Sequence, residues 1–245
     1  MDINSGLTLI LYFFGLAFLG WVIEVLYRSY QARRLVNPGF LFGPFVPIYG
    51  VAGLLILSIS TFLGNNLPWW ILLLLMALVV TILEYLTSVL VELIFRVRLW
   101  DYSDEPLNLA GRVSLKYSFY WAVLIYLYLT LLAGPLLQFL LFLPQVWKLF
   151  LVIVLSIYFA VDFVLSARVY LYFFALYHLV IGELAKAPSE LSNTLLSGLR
   201  KYSYFFRHYP YLRFKLRKQL RSARKVIWDL PDQLKKIKNL LDDKE

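Results

Sequence analysis

Five long apolar runs constrain what this chain can fold into. They lie at roughly 7–27, 45–63, 69–94, 117–143 and 147–177. Each has about 20 residues or more, enough for a helix to cross a bilayer. The whole chain is 61% hydrophobic with a mean hydropathy of +0.70, where a soluble domain is about half apolar. The fold class expected is therefore all-α: a polytopic membrane protein with about five transmembrane helices. Residues 1–180 are read as the transmembrane domain and 181–245 as a basic, amphipathic, cytoplasmic helical tail. The opening "MDINSG" has no basic stretch and no small-residue cleavage site follows the first run, so that run is expected to be a retained span.

Between the first two runs stands "NPGFLFGPFVPIYG", residues 37–50, with Pro38, Pro44, Pro47, Gly39, Gly43 and Gly50. Proline removes amide donors and glycine permits close backbone approach. Irregular backbone at membrane depth survives only where protein or a wet cavity satisfies it. The segment is expected to break or re-enter at the start of span two, and to line a polar cavity facing Glu24 and Glu84.

Charge sets an expected orientation. The net charge is +9. Residues 199–245 hold fourteen Lys/Arg and five Asp/Glu, so the tail alone carries that excess. The connection after span one has Arg28, Arg33 and Arg34, and that after span three has Arg96, Arg98, Arg112 and Lys116. "GNNLP" at 64–68 has no charge and "PQVWK" at 144–148 has only Lys148. By the positive-inside rule the N-terminus is outside and the C-terminus cytoplasmic, in a multi-pass protein of the cell membrane.

Candidate site residues gather at the cytoplasmic ends. Glu84, Ser88 and Glu92 recur at four-residue spacing and form one stripe on a helix. Glu24 stands one turn before Arg28, and Glu92 one turn before Arg96, the order that favours local ion pairs. Glu84 has no cation within four residues, and Arg112 is its expected partner. An intramembrane carboxylate is a functional candidate by default. Asp162 in span five is another, and its partner is expected on a different helix. The polar-cavity candidates are Glu24, Asn37, Tyr49, Glu84, Glu92, Asp101, Tyr102, Asn108 and Arg112. Asp101, Asn108 and Arg112 in "WDYSDEPLNLAGR" could take a cation or a phosphate-bearing head group. In the tail, Arg213, Lys215, Arg217, Lys218, Arg221, Arg224 and Lys225 lie in a basic, aromatic-rich stretch that suits anionic lipid.

The same composition excludes several chemistries. There is no cysteine, and His178 and His208 are the only histidines, so thiol catalysis and a multi-histidine metal site are not expected. No cofactor is expected, with a divalent cation at the carboxylates left open.

The stretches "GWVIEVLYRSYQARRLVNPGFLFGPFVPIYGVAG", "LEYLTSVLVELIF" and "WDYSDEPLNLAGRVSL" resemble the bacterial CmpB-like family of type IV ABC-transporter permeases. The resemblance covers roughly residues 11–130. It departs from the family pattern at Pro38, where the family has arginine, and at Leu99, where it tends to have tryptophan. The resemblance implies a membrane location and transport. A permease subunit of five spans needs an ATPase or other membrane subunit, or a second copy, and this chain has no G-x-x-x-x-G-K-[ST] motif. The other reading is an integral membrane enzyme acting on a phospholipid or polyprenyl phosphate from the cytoplasmic face. Membrane lipid of the anionic inner leaflet is the expected surface partner, and nucleic acid is not.

Overall fold

The computed structural model describes residues 3–184 except 65, 96 and 97, with side chains only from Ser5 to Leu171. It is built from helices: α1 (Ile3–Ala32), α2 (Pro47–Leu63), α3 (Trp69–Phe95), α4 (Leu115–Leu127), α5 (Ala133–Phe142) and α6 (Gln145–Leu184). A two-stranded ribbon, β1 (Asn108–Leu109) and β2 (Val113–Ser114), lies in the loop before α4. Among the described residues four stretches are long and apolar enough to cross a membrane: Ser5–Ala32, Trp69–Phe95, Leu115–Phe142 and Gln145–Leu171. The shorter apolar helix α2 has 17 residues. The chain is a multi-pass helical membrane protein, and the five runs read from the sequence correspond to α1, α2, α3, α4–α5 and α6. The tail residues Arg213, Lys215, Arg217, Lys218, Arg221, Arg224 and Lys225 lie outside the described residues.

The chain divides into two units. One comprises Met1–Glu24 and Gly39–Tyr170, the other Val25–Pro38 and Leu171–Glu245. Asn37 belongs to the second. Within that second unit α1 ends in a Schellman motif. The Arg34 amide donates to Ser29 O at 3.3 Å and the Arg33 amide to Tyr30 O at 3.4 Å, with Arg33 at φ 51°. This satisfies two carbonyls that the helix end would otherwise orphan.

In the first unit α3 packs against α2 and α4. Ala52, Ile56, Met76, Val80 and Ile125 form the core between them. A second cluster joins Leu11, Tyr12 and Leu16 of α1 to Leu140 of α5 and Val152 of α6. The α1–α2 contact is close because α2 presents glycine. A Cβ on Gly50 would stand 2.7 Å from the Phe13 carbonyl oxygen. Small residues are what allow membrane helices to approach so closely.

The fourth span is one apolar run but not one regular helix. Tyr128–Leu132 is a π-helical turn, in which the Ala133 amide reaches back to Tyr128 O. The cause stands just downstream: Pro135 has no amide to donate and its ring crowds the carbonyl four residues earlier. Widening the preceding turn relieves that conflict. Tyr12 Oη lies 2.7 Å from Tyr128 Oη and donates to Ala133 O at 3.3 Å, so α1 helps to satisfy the disturbed backbone.

Candidate functional site

The proline- and glycine-rich segment does break the chain before α2, but its amides face α6 and not the two glutamates. Phe42 N–H donates to Asp162 Oδ1 at 3.0 Å and Gly43 N–H to Asp162 Oδ2 at 2.9 Å. Ser166, one turn further along α6, accepts from Phe42 N–H at 3.1 Å and donates to Asp162 Oδ1 at 3.3 Å. The Phe45 amide closes onto Gly43 O at 2.9 Å, a three-residue turn about Pro44, whose fixed φ suits it. The Val46 amide donates to Ala17 O of α1 at 2.9 Å. Pro47 then opens α2 at a position where an amide would have no helical partner. Gly43 is required by proximity: a Cβ there would meet Tyr158 Oη and would lie 2.8 Å from Asp162 Oδ2. Asp162 therefore finds its partner off its own helix, in the backbone of another segment. The expected cavity wall of free amides facing Glu24 and Glu84 gives way to this latch.

Glu84 is organised differently. It is 4% exposed, about 16 Å of helix rise from the end of α3 at Phe95. Trp121 Nε1 of α4 donates to its Oε2 at 3.0 Å, and Tyr102 Oη of the following loop donates to its Oε1 at 3.1 Å. Arg112, the partner expected from the sequence, goes one and two turns further along α3. Its Nη1 donates to Ser88 Oγ at 3.3 Å and its Nη2 pairs with Glu92 Oε2 at 2.6 Å. Arg98 Nε also bonds Glu92, at 3.0 Å to each oxygen. Glu92 is thus shared by Arg98 and Arg112; Arg96, the partner expected from spacing, lies outside the described residues. The stripe Glu84–Ser88–Glu92 meets a matching series from the loop, Tyr102, Arg112 and Arg98. Chemically this is a gradient, from a charge-compensated outer carboxylate to an inner one held by neutral donors.

Glu24 joins the inner end. Tyr49 Oη of α2 donates to Glu24 Oε1 at 3.1 Å, and the Tyr49 ring lies 5.0 Å from that of Trp121. Glu24, Tyr49, Trp121, Glu84 and Tyr102 are consequently linked through α1, α2, α4, α3 and the loop. Tyr102 also stacks on Tyr117 at 4.1 Å.

The remaining loop candidates serve the loop itself. Asp101 Oδ1 accepts from the Ser103 amide at 3.1 Å and its hydroxyl at 2.6 Å. Asn108 Nδ2 donates to Glu105 O at 2.8 Å while its Oδ1 accepts from the Gly111 amide at 2.9 Å. Ala110 and Gly111, at φ 54° and 67°, form the centre of the turn between β1 and β2. Asp101 and Asn108 thus hold the turn that presents Arg112 and Tyr102. Among the described residues no group of three or more His, Cys, Asp or Glu is placed to hold a metal ion.

Two polar groups escaped the sequence reading. Trp121 carries no letter-level signal beyond being aromatic near a loop. Lys148 was read as a loop charge, yet it is 1% exposed in the first turn of α6, and its Nζ donates to Thr8 Oγ1 at 3.1 Å. Its position at the end of an apolar helix was the available hint, since a long side chain there can fold inward as readily as outward.

The family described as "Putative ABC-transporter type IV" matches residues 11–167. The chain belongs to this family. The match extends beyond the segments that carry the resemblance in the sequence and takes in α6 as far as Ala167. Both the Asp162 latch and the Glu84 site fall within the family region. No curated protein and no solved structure matches the chain.

Proposed function

We propose that the chain is the membrane-embedded permease subunit of a transport system, with Glu84 at the centre of its working site on the cytoplasmic side of the bilayer. The observation that carries this reading is a buried carboxylate in an apolar helix whose partners, Trp121 and Tyr102, are neutral. A carboxylate so placed is costly in a membrane, and an added proton or cation would relieve it. The break before α2 adds support, because transporters build their sites beside discontinuous helices. The orientation with an external N-terminus and a cytoplasmic tail rests on loop charge. The energy would come from a separate ATPase subunit.

The test is copurification of the full chain from its host membrane. An ATP-hydrolysing partner should accompany it, and Glu84→Gln should keep the complex intact while lowering ATP turnover at least tenfold. The enzyme reading is favoured by one observation, the Arg98–Glu92–Arg112 cluster beside the site, where two guanidinium groups share one carboxylate. Turnover of a phospholipid or polyprenyl phosphate by the isolated chain, with no ATPase partner, would decide for it.

A further inference from the structure

Part of the loop between α3 and α4 turns inward, where Tyr102 donates to Glu84 and Arg112 reaches Ser88 and Glu92. Another part turns outward. Leu107, Leu109 and Leu115 are 77%, 62% and 61% exposed. They are neighbours: the Leu115 amide donates to Leu107 O at 3.3 Å, and Leu109 pairs with Val113 across the ribbon. The patch does not end at the loop. Leu115 opens α4, and Phe119, Val123 and Tyr126 follow it at steps of four, four and three residues, all exposed. That spacing keeps them on one side of the helix, along a stretch long and apolar enough to cross the membrane. The loop leucines therefore prolong a lipid-facing stripe past the start of the span.

Unpaired backbone groups usually keep loops out of hydrocarbon. Here many of the amides are engaged from within the loop. Tyr102 N–H donates to Gly111 O at 2.8 Å, Glu105 N–H to Tyr102 O at 2.9 Å, Arg112 N–H to Leu109 O at 3.0 Å and Gly111 N–H to Asn108 Oδ1 at 2.9 Å. Pro106 has no amide to satisfy. The flanking residues suit the head-group level. Tyr120 meets Tyr117 edge to face at 5.6 Å, and the Lys116 ammonium lies 5.5 Å from the Tyr117 ring while it pairs with Glu105. Amphipathic rings and a lysine on a long stem settle at that depth. Residues 98–116 hold three cations, Arg98, Arg112 and Lys116, and three carboxylates, Asp101, Asp104 and Glu105. With no net charge in the loop, apolar area and not attraction to anionic lipid would hold it at a membrane. We infer that Leu107, Leu109 and Leu115 dip into the acyl boundary of the leaflet on the loop's side, so that the loop lies in the bilayer surface and not in water. The partner is bilayer hydrocarbon, with no demand on head-group charge. This holds whichever activity Glu84 serves.

The chain has no cysteine, so a single introduced cysteine can carry a nitroxide with no other change. Leu107→Cys, Leu109→Cys and Leu115→Cys would be compared with Asp104→Cys as the water reference and Leu78→Cys as the lipid reference. The full chain in phosphatidylcholine vesicles is exposed to oxygen, which concentrates in hydrocarbon, or to a nickel chelate, which stays in water, and the spin relaxation by each is measured. The ratio of oxygen to nickel access at the three leucine positions should exceed that at Asp104 about fivefold and stay below that at Leu78, as insertion of about 5–10 Å requires. Replacing part of the lipid with phosphatidylglycerol should leave it unchanged. A ratio at Leu107 and Leu109 equal to that at Asp104 would place the loop in water and overturn the inference. Exclusion of both reagents would show a protein cover, a second copy or another subunit, and overturn it as well. Insertion that appears only with the anionic lipid would assign the contact to charge and do the same. All three leucines are exposed, so the label displaces no packed neighbour, and should one variant not fold the other two still decide.

Discussion

Asp162 and Glu84 are almost equally buried, 6% and 4% exposed, yet their surroundings assign them different work. Asp162 receives two backbone amides and a hydroxyl. Its ligands are part of the chain's path, so removing it changes where the chain goes. Glu84 receives an indole and a phenol, both at the tips of side chains that can turn away. Burial alone does not mark a functional carboxylate. The identity of the donor does: backbone amides point to architecture, and movable neutral side chains leave room for a ligand or proton.

The largest effect that separates the two is expected at Asp162. Asp162→Ala would take from the Gly43 amide its carboxylate acceptor and from the Phe42 amide the shorter of its bonds to Asp162 and Ser166. An unsatisfied buried donor costs about 1–3 kcal/mol, so a loss of about 3 kcal/mol is expected. Asp162→Asn keeps one acceptor oxygen and should fall between. Unfolding in mixed detergent, followed by tryptophan fluorescence, would measure both. A loss below about 1 kcal/mol for the alanine variant would mean that the segment is held by something else.

Gly43→Ala probes the same latch from the other side. The added methyl would meet Tyr158 Oη and Asp162 Oδ2, and such overpacking costs about 1–3 kcal/mol. Tyr158→Phe in that background removes the hydroxyl and should restore part of the loss, while Tyr158→Phe alone should be nearly neutral because Tyr158 is 45% exposed. This double-mutant cycle isolates the contact. Strict additivity would show that the clash is with Asp162 alone.

How far the sequence revealed this follows from what kind of partner each residue has. The spans were legible because long apolar runs have few other solutions. The Glu84–Ser88–Glu92 stripe was legible because helical spacing is local. The partner of Asp162 was not, since it is a pair of amides about 120 positions earlier, and an amide has no letter of its own. The assignment of Arg112 to Glu84 erred by one and two turns, because a loop's fold decides which rung of a stripe its arginine reaches. Counting Lys148 as a loop charge leaves open which way its long side chain folds, and it folds inward onto Thr8. The π turn before Pro135 left only the proline as a sign.

Glu84→Gln should reverse the pattern seen at Asp162. The amide keeps the side chain's volume and one acceptor oxygen, so Trp121 or Tyr102 retains a partner. Stability should change by about 1 kcal/mol or less, while the activity described above is lost. An unfolding midpoint that drops as far as that of Asp162→Ala would place Glu84 among the architectural carboxylates and remove the contrast.

The smallest effect belongs to a carboxylate that is neither latch nor site. Glu105 pairs with Lys116 at 2.8 Å, and the two side chains are 27% and 45% exposed. Water competes for both ions, and holding two long side chains in one geometry costs entropy, so such pairs contribute about 0–1 kcal/mol. Glu105→Gln should shift stability by about 0.3 kcal/mol, less at high salt as the pair is screened. It should leave ATP turnover unchanged, because the turn that presents Arg112 and Tyr102 is held by the Glu105 backbone carbonyl, which accepts from Asn108, and not by its side chain. Asn108→Ala removes that donor and should lower activity where Glu105→Gln does not. Equal losses from the two would show that charge at the loop surface, and not the shape of the turn, controls access to Glu84.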